Sequence, residues 1–156
     1  MRKSAVLMMG AVLATFVLLG WSSPASAQLT ARVFAVGGHS EIHFASGSAF
    51  WCVHVEPING AFQLTDINAC TVVLASPGNG SVSQISYNCS KPTVVGDGDG
   101  NGIQDIEFCF LKTDMHPLFD DLHGRSPKTV TVFVNGNLTT GPGFGGSLTL
   151  TLYLKD

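Results

Sequence analysis

Oxygen-bearing side chains recur at short intervals in Gly96 to Phe108, GDGDGNGIQDIEF. Counted from Asp97, the residues Asp97, Asp99, Asn101 and Asp105 hold positions one, three, five and nine, and Gly102 holds position six. Hard divalent cations take six to eight oxygen ligands in a tight sphere, and alternate side chains of a curled loop supply them. The backbone carbonyl at position seven, that of Ile103, adds another, and Glu107 or a residue from a different strand completes the set. Glycine suits the point where the chain turns sharply beneath the ion. Three aspartates this close would repel one another with no cation between them. The stretch therefore predicts a Ca²⁺ site built from Asp97, Asp99, Asn101, Ile103, Asp105 and Glu107. The competing reading is a metal-free Asp-Gly turn.

The N-terminus reads as an export signal. Arg2 and Lys3 precede the apolar run Ala5 to Trp21, and Ala25-Ser26-Ala27 ends the segment with the small-x-small pattern of a cleavage site. Residues 1–27 are thus expected to be a signal peptide and 28–156 a single mature domain, secreted or held at the cell surface. No later segment is apolar enough to span a bilayer, so no membrane insertion is expected after cleavage. Losing Arg2 and Lys3 takes the eight basic residues to six against eleven acidic ones, a net charge of −5. That balance, without basic clusters, argues against nucleic acid as a partner.

The four cysteines, Cys52, Cys70, Cys89 and Cys109, all lie in the mature part. Their spacing is neither that of a paired zinc site nor that of a haem attachment motif. An even count in an exported chain predicts two disulfides, with three connectivities open. Oxidised cysteines are not nucleophiles, and no G-x-S-x-G elbow ties a serine to a base. His39 and His43 read as a surface pair. His54 lies in a strand and faces either the core or Glu107, while His116 and His123 read as loop residues. Glu41, Glu56 and Asp66 carry carboxylates, but no motif joins them. Phe50 and Trp51 would stack on a sugar if exposed and would pack in the core otherwise. A protein that is not an enzyme is expected.

The elements that must position these residues are strands. TARVFAV, EIHF, AFWCVHVEP, ACTVVLAS and VSQISYN are β-type runs, punctuated by Gly37-Gly38, Pro57 and the turn signal PGNGS. In IQDIEFCFL, Ile106, Phe108 and Phe110 point one way and Asp105, Glu107 and Cys109 the other. KTVTVFVNGNL and GSLTLTLYL alternate Val or Leu with Thr, and TTGPGFGG turns between them. Only Lys112 to Ser126 hints at helix, confined by Pro117 and Gly124 to one or two turns. Short strands without strand–helix alternation predict an all-β sandwich, with an open antiparallel barrel as the alternative.

The acidic loop departs from an EF-hand: Phe108 stands where the bidentate Glu would be, and no helices flank it. D-x-D-x-N-G-x-x-D leading into a strand resembles instead the calcium loops of thrombospondin type-3 repeats and integrin-type propellers. WCVHVEP, TDINACTVVL, PTVVGDGDGNGIQDIEF and FGGSLTLTL, in that order, resemble the calcium-bearing, immunoglobulin-like domain of exported bacterial and archaeal surface proteins, over Ile42 to Asp156. The resemblance implies an immunoglobulin-like antiparallel β-sandwich with a structural ion, and no reaction. In that strand order the strands of Cys52 and Cys109 are antiparallel neighbours, which implies Cys52–Cys109 with Cys70–Cys89 nested inside; sequential pairing stays open. The expected role is structural, adhesive or binding, with an extracellular protein or glycan as partner. The alternative is a small extracellular carbohydrate-binding or hydrolytic protein.

Overall fold

The structure, a computed structural model, describes residues 28–38 and 40–154. The expected signal peptide and His39 lie outside the described residues. The chain forms strands β1 (Leu29–Phe34), β2 (Glu41–His43), β3 (Phe50–Pro57), β4 (Ile67–Ala75), β5 (Gln84–Ser86), β6 (Val94–Gly96), β7 (Asp105–Leu111), β8 (Lys128–Leu138) and β9 (Phe144–Tyr153). Among the described residues one α-helix, α1 (Lys112–Phe119), follows β7 directly, and three short 3-10 turns lie in the connections. None of the described helices is long and apolar enough to cross a membrane.

The fold is all-β and sandwich-like, and the strands run in the order β5-β4-β8-β9-β1-β3-β7-β6, with β2 added beside β9. β1 joins the two halves. Its first residues, Leu29 and Thr30, pair in parallel with Phe144 and Gly145 of β9. Its remainder, Ala31 to Phe34, pairs antiparallel with Pro57 to His54 of β3. Gly146 makes this crossing possible, because a Cβ there would run into the Ala31 carbonyl and the Val33 side chain. The sheet is thus mixed where a purely antiparallel one was expected. β1 and β2 both run parallel to β9, to which no tight hairpin connects them.

Alternation puts one apolar face of each half inward. Val130, Val132 and Val134 of β8 and Leu150 and Leu152 of β9 meet Val53 and Val55 of β3 and Ile106, Phe108 and Phe110 of β7 in one core. Aromatic contacts close the seam: Tyr87, just after β5, stands edge-on to Phe108 at 5.0 Å, and Phe62 stacks on Phe144 at 5.3 Å. Met115, Leu118 and Phe119 of α1 are buried as well, so the helix plugs one end of the core. His116, expected in a loop, sits in this helix against Phe44 at 4.4 Å.

Both disulfides are formed. Cys52 and Cys109 stand directly opposite each other on β3 and β7, with Cα atoms 4.0 Å apart. Cys70 of β4 joins Cys89, beyond β5, at 4.8 Å. This is the nested pairing. The Cys52–Cys109 bond lies on the outer face of its sheet, because Trp51, Val53, Phe108 and Phe110 on either side of it point inward. Two disulfides suit an oxidising, extracellular setting.

Candidate metal-binding loop and adjoining cleft

Residues 97–104 connect β6 to β7 and fold back over the outer face of β3 and β7. Gly98 allows the close approach: a Cβ on it would lie 2.9 Å from Val36 Cγ2 and 3.0 Å from His54 Cε1. Gly100 and Gly102 take positive φ of 74° and 84°, backbone that side chains with a Cβ adopt poorly. The loop's own side chains then hold its backbone. Asp97 Oδ1 and Oδ2 accept from the Asn101 and Gly102 N–H groups, both at 2.9 Å. Asn101 Oδ1 accepts from the Ile103 N–H at 2.7 Å.

The carboxylates of Asp97, Asp99 and Asp105 come together here, each offering an oxygen within 4.8 Å of the others. Asp97 and Asp99 are exposed, whereas Asp105 is only 1 % exposed. Its Oδ2 accepts from the Gly98 N–H and its Oδ1 meets His54 Nδ1, each at 2.7 Å. Burial is tolerable because both oxygens are partnered.

Two residues not assigned to the loop from the sequence complete its surroundings. Glu56, 4 % exposed, accepts through Oε2 from Asn101 Nδ2 at 2.8 Å and from Arg32 Nη1 at 3.0 Å. Arg32 reaches on through Nη2 to Asp99 Oδ2 at 2.6 Å. That hydrogen bond holds the Asp99 carboxyl below the usual carboxylate range. Glu107, placed in the ion's sphere from the sequence, is turned toward His54 Nε2 at 3.3 Å and lies beside Cys52 and Cys109. Ile103 is exposed at the loop tip.

Beyond His54 the same face opens into a cleft of ≈ 440 Å³ between β3, β7 and the β2–β3 connection. His54 and Glu107 line one side, and Glu41 and His43, 3.7 Å apart, also line it. Val36, Ser46, Ser48, Phe50, Cys52 and Lys112 contribute to its polar and apolar walls. Trp51 borders it but is a core residue, 4 % exposed. Phe50 is half-buried with the Lys91 ammonium over its ring at 3.1 Å. Of the separate carboxylates, Glu41 is at the cleft, Glu56 at the loop and Asp66 in the 3-10 turn just before β4.

The chain matches no family model, no curated protein and no solved structure.

Proposed function

We propose that the protein is an exported, non-catalytic module whose acidic loop binds one Ca²⁺ and whose role is extracellular binding or structural support, at the cell surface or secreted. The observation that carries the ion is the convergence of Asp97, Asp99 and Asp105 on a loop whose backbone their own side chains already shape. A hard cation would draw on the free oxygen lone pairs of Asp97, Asp99, Asn101 and Asp105 and on the Ile103 carbonyl. Arg32 holds only Oδ2 of Asp99, which leaves Oδ1 turned to the loop, where the Asn101 N–H approaches it at 3.3 Å. Glu56 is the neighbouring-strand carboxylate already bonded to the loop. The resemblance to calcium-bearing immunoglobulin-like modules points the same way.

The expected affinity is that of extracellular calcium modules, on the order of 10⁻⁴ to 10⁻³ M or tighter. At a hundredfold excess over Kd, mass action adds about 2.7 kcal/mol to stability. Thermal melts of the purified mature chain in millimolar calcium and in chelator should separate accordingly, and an Asp97→Asn/Asp99→Asn variant should show no such separation. Superimposed wild-type melts would remove the ion from this reading.

A second reading, a small carbohydrate-binding or hydrolytic protein, is favoured by one observation. His54 lies between the buried Asp105 and Glu107 and lines the cleft. Screening the mature protein against esters, glycans and peptides tests the hydrolytic arm. Turnover that disappears in His54→Gln would replace the non-catalytic reading.

A further inference from the structure

The cleft beside the loop is lined by a buried lysine. Lys112, the first residue of α1, is 8 % exposed, and its ammonium donates to the His43 carbonyl at 2.8 Å and to Ser46 Oγ at 2.5 Å. An ammonium carries three N–H donors. Among the described residues the third has no acceptor, and no carboxylate forms an ion pair with Lys112. A buried charge without a counter-charge is costly, so such a site favours an anion that brings one. The other basic groups among the cleft's described residues differ in this respect. His43 faces Glu41, and His54 faces both Asp105 and Glu107.

What surrounds Lys112 narrows the anion. Glu41 and Glu107 line the cleft as hydrogen-bond acceptors, and Ser46 and Ser48 contribute hydroxyls. A simple apolar acid would offer the remaining lone pairs of Glu41 and Glu107 no donor, and a phosphate would set about twice a uronate's negative charge before these two carboxylates while offering them few or no O–H donors at neutral pH. A ligand with one carboxylate and several hydroxyls answers each of them: its carboxylate meets Lys112, and its O–H groups donate to Glu41 and Glu107. Val36 and Phe50 give its C–H face an apolar surface. The volume, ≈ 440 Å³, lies in the range of small-ligand sites. We propose that this cleft binds an acidic sugar of the uronic-acid class, with Lys112 fixing the carboxylate and Glu107 and Glu41 reading the hydroxyls.

This inference rests on the extracellular-binding part of the reading above and is independent of the calcium loop. The test is a titration followed by amide NMR shifts at constant calcium, with glucuronate, glucose and acetate as probes. Glucuronate should shift Cys52, His54, Glu107 and Lys112 saturably, and glucose and acetate should each bind at least tenfold more weakly. Lys112→Met should abolish the preference for glucuronate over glucose. Because that change also loosens the turn at Ser46, Glu107→Gln serves as the second variant; it leaves the Lys112 contacts in place and should weaken both sugars several-fold. Equal binding of glucose and glucuronate overturns the proposal. So does the absence of saturable shifts, or shifts confined to residues 97–105, which would report calcium chelated at the loop. A flat calcium titration with saturable glucuronate binding would remove the ion and keep the ligand site, and the reverse pattern would do the opposite.

Discussion

The outer faces of the β8–β9 hairpin and of the β3–β7 pair share strand geometry and differ in what they carry. On β8–β9, Thr129, Thr131 and Phe133 are exposed while Val130, Val132 and Val134 between them are buried. On β3–β7 the outward positions hold the Cys52–Cys109 bond, the His54–Glu107 pair, and the buried carboxylates Glu56 and Asp105. The inner faces of both do the same work: they exclude water with Val, Leu or Phe. What distinguishes the halves is therefore not how they fold but what one of them has placed over its outer face. A surface strand that buries acids departs from the simple inside–outside rule, and such departures concentrate at functional sites.

If the inner faces are equivalent, deleting side chains from either should cost alike. Phe108 and Leu150 are both fully buried, one in each half. Phe108→Ala is expected to lose about 3–5 kcal/mol and Leu150→Ala about 2–5 kcal/mol. Thr131→Ala on the outer face should stay within about 0.5 kcal/mol. Urea unfolding of the three variants measures this, and a Thr131 effect as large as Phe108's would break the comparison.

The disulfides sharpen it next. Cys52–Cys109 spans 57 residues and Cys70–Cys89 spans 19. Loop-closure entropy gives about 4 kcal/mol for the first and about 3 kcal/mol for the second. Replacing each pair by Ala should reproduce that order in unfolding midpoints. The reverse order would mean that the β3–β7 ladder alone already restrains the unfolded chain.

A smaller loss is expected from the buried acid. Asp105→Ala leaves the Gly98 N–H and His54 Nδ1 without their acceptor, at a cost of about 1–3 kcal/mol. It should also release residues 97–104 from the sheet, visible as faster amide exchange there while β8–β9 stays protected. Protection unchanged in the loop would show that Asp105 does not hold it down.

The same contrast explains what was legible in the sequence. β8 and β9 follow from period-two alternation, and so does the inward set Ile106, Phe108 and Phe110. Alternation also places Asp105 on the outer side, which is correct, yet says nothing of its burial. That comes from a loop folding back through Gly98, a tertiary event with no local period. Glu56 shares its face with His54 and Cys52 by parity, but its partnership with Arg32 depends on the register of β1 against β3. β6 has three residues, too few to show alternation. Lys112 reads as an ordinary helix start. Only the fold of the β2–β3 connection over it makes it a buried cation.

The smallest effect tests whether carboxylate chemistry outside the charged face behaves differently. Asp120 lies just past α1, and both its oxygens are held by neutral donors of Ser81: the backbone N–H and the hydroxyl, each at 2.6 Å. Those side-chain and backbone hydrogen bonds from Ser81 hold its carboxyl below the usual range. A carboxyl whose folded pKa lies under its unfolded value of about 3.9 stabilises the fold above that pH. Its contribution then fades as pH falls through the folded value. Asp120→Asn keeps the shape, removes the charge and leaves one acceptor oxygen where Ser81 uses two. The variant should therefore unfold at lower urea than wild type at pH 7, with the gap closing below about pH 4. Urea midpoints at pH 7, 4 and 2.5 measure it. A gap that persists unchanged to pH 2.5 would mean that Asp120 acts through the hydrogen bonds its second oxygen makes and not through its charge, leaving the β3–β7 face as the place where this protein's carboxylates matter as charges.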